Sequence, residues 1–264
     1  MRSNPFIACL CATYKRPTCL ANAVACFLAQ EYENKVLVIV DDAAQYNPRE
    51  YDWKQPKNIL MISWQQRGPS LSEKRNEVAR IAKDGYEPEI FAVWDDDDVY
   101  LPNHLSNIAA GYERGGEFFL HKKVLTTYDC GETGKTVLEQ AVYEVAGPWE
   151  TRFHSSWAFT RELFERVGGY PPPMPNGQYD DFETQLGINL KRVGKVEYID
   201  GDGPSYVCRV FNQAEYHLTQ TDGKSYQDNW ERIGKLPSPF VGELFPKMDD
   251  WTKRLYVNLT GVKA

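Results

Sequence analysis

The chain has 264 residues, of which 42% are hydrophobic, enough for one large domain or two small ones around a buried core. Its formal net charge of −7 argues against a protein that coats nucleic acid or anionic membrane through bulk electrostatics, and leaves room only for a local basic groove. The six cysteines form no CxxC pair and no zinc-ligand spacing, so they read as buried reduced thiols.

The opening MRSNPFIACLCATYKRP lacks the form of a signal peptide, and no stretch approaches the roughly 18 apolar residues of a membrane span. A soluble, cytoplasmic protein is expected, with docking at a membrane surface left open. Phe6 to Ala12 predicts a first buried strand. Beyond Pro17, the residues Leu20, Ala23, Val24, Phe27 and Leu28 recur at helical spacing across Cys19 to Ala29, and Val36 to Val40 makes a second strand ending in Asp41 and Asp42. This is a βαβ unit. Ile59 to Ser63 is a third strand, and Ser70 or Ser72 caps a helix running to about Lys83 with Glu73 in its first turn. Ile90 to Trp94 is a fourth strand, which stops at Asp95.

Pro102 opens a helix through Glu113, and Glu117 to Thr127 reads as a strand pair or one long strand followed by turn residues Asp129 to Gly134. Arg161 to Val167 is a short helix ended by Gly168 and Gly169, the prolines of Pro171 to Gly177 impose a loop, Asp181 to Val193 is helical, and Lys195 to Ile199 is a strand. The tail after Gly203 has no clear period and reads as an irregular lobe or lid. Short apolar runs alternating with helical patterns predict an α/β fold with a mostly parallel sheet flanked by helices.

Asp95, Asp96, Asp97 and Asp98 are consecutive. Adjacent carboxylates repel, and a bound cation is the simplest compensation. Their place at a strand's carboxyl end is where open α/β sheets bind ligands. Hard oxygen donors suit Mg²⁺ or Mn²⁺ shared with a diphosphate. A solvated acidic loop or an acid-decorated helix start is the alternative. The run lacks the spacing and glycine of a calcium loop, and neither GxxxxGK[ST] nor a GxGxxG after the first strand occurs. Thr13, Tyr14, Lys15 and Arg16 follow the first strand as Asp41 and Asp42 follow the second, so three polar strand ends converge on one edge. Tyr14 there is suited to stack on a base, and Asp41 or Asp42 to accept from a pyrimidine NH or a ribose hydroxyl, or simply to form a turn.

These segments together resemble glycosyltransferase family 2, with its GT-A fold, over about Ile7 to Val210. Ala12-Thr13-Tyr14-Lys15-Arg16-Pro17 is similar to the family's PTYNRP segment, Val38 to Asp42 to its VVDD strand end, and Lys74-Arg75-Asn76 to its ARN. Trp94 to Asp98 with Leu101-Pro102 resembles LDADD and the following LP. Further on, Ser156 to Tyr170 is similar to the acceptor-side helix ending in a GGF turn, and Asp180-Asp181 stands at the family's Glu-Asp. The resemblance implies a Rossmann-like nucleotide-sugar half over residues 1–100, an acceptor half over 101–203, and a lobe or lid over 204–264 packed on the same domain.

It also implies roles. Asp95 and Asp97 would hold Mn²⁺ or Mg²⁺, joined by His217 from the C-terminal region. Ala12, Thr13, Tyr14, Arg16, Asp41, Asp42, Lys74, Arg75 and Asp96 would bind the nucleotide sugar, with Asp96 near the ribose and Arg209 at the diphosphate. Asp181, or Asp180 beside it, would be the base that deprotonates the acceptor; Asp98 would cap the next helix. His154 and His121 fall in the acceptor half. The implied activity is metal-dependent transfer of a hexose-type unit from a nucleoside diphosphate sugar, a UDP-sugar by family preference, to an acceptor hydroxyl with inversion. A saccharide is the favoured acceptor, and a hydroxylated base in DNA the minor one. Two other classes stand beside it: a nucleotidyltransferase of related fold, which would carry a Gly-rich loop after the first strand, and a catalytically silent carbohydrate-binding relative.

Overall fold

Ile7 to Ala12 carry no polar side chain, so a strand made from them must be covered on both faces. The computed structural model describes residues 4–14, 17–41, 58–66, 68–129, 136–142, 153–172, 181–199 and 205–210. In it this run forms β1 (Ile7–Thr13), with every residue buried. Ile7, Cys9 and Cys11 enter one core and Ala8, Leu10 and Ala12 the other, as a period of two dictates.

The first core is closed by α1 (Pro17–Leu28) and α3 (His104–Glu113), through Leu20, Ala23, Val24 and Phe27 of the first and Leu105, Ile108 and Tyr112 of the second. Leu28, counted into the apolar row by spacing, is 51% exposed at the helix end. The second core is closed by α2 (Leu71–Tyr86), α4 (Arg161–Arg166) and α5 (Asp181–Val193), which contribute Val78, Ala79, Ala82, Leu163, Phe164, Phe182, Leu186 and Leu190. Cys9, Cys11 and Cys26 are buried in the first core and form no disulfide, in keeping with reduced thiols.

Around β1 stand β2 (Lys35–Asp41), β3 (Ile59–Ser63), β4 (Ile90–Val93), β6 (Phe118–Leu120), β9 (Ala158–Thr160) and β10 (Val196–Tyr198), in the order β10-β6-β9-β4-β1-β2-β3. All neighbours pair in parallel except at β9, which runs against both β4 and β6. A second sheet takes the order β5-β11-β7-β8, from β5 (Val99–Tyr100), β7 (Lys123–Asp129), β8 (Thr136–Val142) and β11 (Tyr206–Val210).

Several sequence expectations change here. Of the two alternatives for Glu117 to Thr127, two strands and not one long one form, but they do not pair with each other: the segment breaks at His121 and Lys122, sending β6 to one sheet and β7 to the other. The helix after Pro102 starts at His104, with Asn103 as its N-cap, so Asp98 does not cap it. Ser70, not Ser72, caps α2 by accepting from the Glu73 amide, and the helix runs on to Tyr86. β5 and β9 are too short to leave a period, and β11 lies in the stretch read as irregular. The turn at 130–134, most of the proline loop and residues 211–264 lie outside the described residues. Among the described residues, no helix is long and apolar enough to cross a membrane.

Asn76 joins α2 to the turn after α4. Its side-chain amide donates to the Tyr170 carbonyl and accepts from the Tyr170 amide, both at 2.8 Å. The chain reaches that position through Gly168 and Gly169, at φ +84° and +74°. A Cβ on Gly169 would stand 2.7 Å from the Asn76 Oδ1. Gly169→Ala is therefore expected to lower stability by about 1–3 kcal/mol. Gly85→Ala, in α2 with no heavy atom within 4 Å of the added Cβ, is expected to raise it by about 0.5–1 kcal/mol. Urea unfolding of the two variants checks the opposite signs.

Candidate functional site

Parallel pairing brings the carboxyl ends of β1, β2 and β4 together: Thr13 lies opposite Asp41, and the Trp94 amide continues the β1–β4 ladder onto the Leu10 carbonyl at 3.0 Å. The convergence read from the sequence is thus real for these three ends. Asp41 is buried and accepts from the Ser63 hydroxyl at 2.9 Å, while Tyr14 is half-buried. Ala12 and Thr13 are buried, and Lys74 from α2 donates to the Thr13 carbonyl.

Between β4 and β5 the four aspartates form a short loop pinned at its base. Trp94 is fully buried, stacks on Tyr100 with ring centroids 3.8 Å apart, and donates its indole N–H to the Ala23 carbonyl at 3.1 Å. The Asp95 amide donates to the Tyr100 hydroxyl at 2.7 Å, and that hydroxyl donates to the Ser155 carbonyl at 3.1 Å.

The four carboxyl groups then take different directions. Asp95 receives a two-pronged contact from the Arg75 guanidinium, at 2.8 and 3.2 Å. Asp96 has no exposed surface and accepts from the Thr13 hydroxyl at 2.6 Å. In this arrangement it supports the end of β1. Asp98 is buried and accepts from the Tyr206 hydroxyl at 2.6 Å, with the Ser155 hydroxyl 2.8 Å from that of Tyr206. Burial first, and then the charges of Asp97 and Asp95, push the Asp98 carboxyl up to about 8, against the pull of the Ser155 and Tyr206 hydroxyls. Asp95, Asp97 and Asp98 each present a carboxylate oxygen, and the three oxygens lie within 4.8 Å of one another. An all-oxygen set of that size, at a strand end, fits a hard divalent ion. Asp98 thus joins the two ligands expected from the sequence.

Arg75 is the cation closest to this cluster among the described contacts. Burial opposes its charge, but Asp95 and Glu183 outweigh burial and hold the guanidinium above its ordinary range. Its Nη2 lies 3.0 Å from Oε1 of Glu183, a residue of α5. His154, in a single 3-10 turn His154–Ser156, places Nδ1 3.3 Å from the same oxygen and Nε2 2.7 Å from the Tyr170 hydroxyl. Burial and the neighbouring Arg75 press the His154 pKa far down, so the ring is neutral. His121 is buried too, stacked on His104 with centroids 5.2 Å apart, behind Tyr206.

The structure therefore gives Lys74 and Arg75, expected at the nucleotide, the tasks of tying β1 and the acidic loop to α2. Arg16, Asp42, Asp180 and His217 lie outside the described residues. So do the side chains of Asp181, at the first position of α5, and of Arg209, within β11. Sequence reasoning gave no role to Tyr100, Ser155 or Glu183, and took Tyr206 as a candidate stacking surface for a sugar or base. Only Glu183 left a usable signal, a third acid two residues beyond Asp181.

Residues 9–167, more than half of the chain, match the family model described as Glycosyl transferase family 2. The chain belongs to that family. Its α/β architecture is the GT-A fold, shared with solved structures at low identity. S. aureus TarS, residues 1–349, superposes at a TM-score of 0.58 with 12% identity, covering 77% of this chain and 60% of that one. The same TarS fragment in complex with UDP-GlcNAc gives 0.58 and 15%, over 86% of this chain and 64% of that one. The mannosyltransferase PcManGT from Pyrobaculum calidifontis, in complex with GDP-Man and Mn²⁺, gives 0.54 and 17%, over 98% and 74%. The chain thus spans less than two thirds of the length of these two TarS structures. No curated protein matches it by sequence.

Within this family member, the Tyr206 hydroxyl tethers a carboxyl of the acidic loop to the second sheet. Tyr206→Phe is expected to cost about 1–3 kcal/mol, since it takes a donor away from a buried carboxyl without changing the packed ring. The shift of the urea midpoint measures it, and an unchanged midpoint would show that Asp98 does not depend on that hydroxyl.

Proposed function

We propose that the chain is a divalent-metal-dependent glycosyltransferase that moves a hexose-type unit from a nucleoside diphosphate sugar to an acceptor hydroxyl, with inversion. The observation that carries the reading is the group of three carboxylate oxygens, from Asp95, Asp97 and Asp98, within 4.8 Å at the end of β4. In a family 2 domain that position faces the ends of β1 and β2. The complexes of TarS with UDP-GlcNAc and of PcManGT with GDP-Man and Mn²⁺ support a nucleotide-sugar donor and a divalent ion for a chain of this fold.

In this reading Asp95, Asp97 and Asp98 hold Mn²⁺ or Mg²⁺, with His217 as a further ligand. The ion, when bound, neutralises charge on the departing diphosphate. Tyr14, Arg16, Asp41 and Asp42 flank the base and ribose at the ends of β1 and β2, and Arg209 pairs with the diphosphate. Asp181 takes the acceptor proton, with Asp180 as its neighbour at the start of α5. A base at the first position of α5 is close to the acidic loop in the fold, because Glu183, two residues on, reaches the Arg75 that holds Asp95. Orienting acceptor and donor across so short a gap supplies most of what a transfer with a good leaving group needs. A UDP-sugar is the favoured donor and a saccharide the favoured acceptor.

A thermal-shift screen of UDP, GDP and their sugars, with and without Mn²⁺, names the donor. With that donor, Asp97→Ala is expected to abolish Mn²⁺-dependent turnover while the variant keeps its fold. Full activity in this variant would end the metal reading. Proton NMR of the product's anomeric centre reads the stereochemistry, and a retained configuration would remove the base role from Asp181.

A further inference from the structure

We infer that Glu183 is a positioning residue for the acidic cluster: it draws part of the Arg75 charge away from Asp95 and so leaves Asp95 able to serve a divalent ion. The inference rests on the metal reading above. Three observations carry it. The first is sharing at one atom, since Nη2 of Arg75 lies 3.2 Å from Asp95 Oδ2 and 3.0 Å from Glu183 Oε1. The second is burial: the Arg75 side chain is 9% exposed, so water screens its charge little and the neighbouring carboxylates divide it. The third is that the carboxylate of Glu183 is confined on its other side by a buried ring. His154 faces it at 3.3 Å and is held in turn by the Tyr170 hydroxyl at 2.7 Å, while both polar ends of the Asn76 amide secure the Tyr170 backbone.

Asp95, Arg75 and Glu183 together carry one net negative charge. Replace Glu183 with a neutral amide and the guanidinium turns wholly to Asp95, making a neutral pair out of a metal ligand. The direct attraction of the Glu183 charge for the ion is lost as well, in the same direction. Because Glu183 belongs to α5, whose first residue is Asp181, the same contact also sets where that helix begins relative to the acidic loop.

The test compares Glu183→Gln and Glu183→Asp with the wild type, by isothermal titration of Mn²⁺ into protein saturated with UDP or GDP, whichever the wild type binds. Glu183→Gln is expected to weaken Mn²⁺ binding about tenfold, a typical cost of disturbing a group behind a metal ligand. Nucleoside diphosphate binding without metal and the thermal midpoint should stay at the wild-type level. Glu183→Asp, which keeps the charge, should recover most of the affinity. Unchanged Mn²⁺ affinity in Glu183→Gln would overturn the inference, as would equal losses in both variants at wild-type stability, which would point to shape in place of charge. A wild type that binds UDP or GDP with no dependence on Mn²⁺ would instead overturn the metal reading and this inference with it.

Discussion

Four consecutive carboxyl groups cannot all point the same way without a large electrostatic penalty, and the arrangement around them is built to separate them. Each of three is met by a different element: Asp95 by Arg75 of α2, Asp96 by Thr13 of β1, and Asp98 by Tyr206 of β11. None of these contacts cancels the whole charge. One guanidinium is shared with Glu183, and the other two partners are hydroxyls, which stabilise a carboxylate without neutralising it. The loop is left acidic but ordered, as a site for a divalent ion requires: negative potential without the freedom to collapse.

That constraint explains the second sheet. β5 is two residues long and would not persist alone. It is held because Tyr206 and Val207 pair with it and because Tyr100 is stacked on Trp94. The same tyrosine fixes the Asp95 amide and reaches the Ser155 carbonyl. Hydrogen bonds, stacking and strand pairing thus converge on one residue whose sequence neighbourhood, Val99-Tyr100-Leu101, offers no periodicity to predict it. Lys74, Arg75 and Asn76 show a related economy. Successive positions on a helix point about a third of a turn apart, and each of these three ties α2 to a different partner: β1, the acidic loop and the turn after α4.

The large buried elements were legible in the sequence because their signals are local. β1, β2, β3 and β4 are unbroken apolar runs, α5 follows its period to the residue, and the strand-end position of the aspartates follows from the order of those runs. Asp95 and Asp97 were singled out as a pair of donors by the resemblance of Trp94 to Asp98 to the family's LDADD segment. What stayed hidden depends on contacts distant in sequence: Asp98 meets Tyr206 across 108 positions and Thr13 meets Asp96 across 83. No window reveals either. The break of Glu117 to Thr127 between two sheets was hidden for the same reason, since what divides Phe118 to Leu120 from Lys123 to Asp129 is the partner strand each one meets.

The division of labour among the aspartates is where sequence and structure differ most usefully. The resemblance to family 2 implied that Asp95 and Asp97 work together while Asp96 serves the ribose and Asp98 the next helix. A loop pinned at Trp94 and Tyr100 does not keep the alternation of a strand, so Asp98 turns back beside Asp95 and Asp97, and Asp96 alone goes inward to Thr13. Burial of the Asp98 carboxyl, and after it the charges of Asp97 and Asp95, raise it to about 8. A cation beside these oxygens would offset both the burial and the neighbouring charges that disfavour ionisation of Asp98. The fold holds this arrangement because the contacts on the loop and its flanks come from six separate elements, α1, α2, β1, β5, β11 and the turn His154–Ser156, and a small shift in one is resisted by the others.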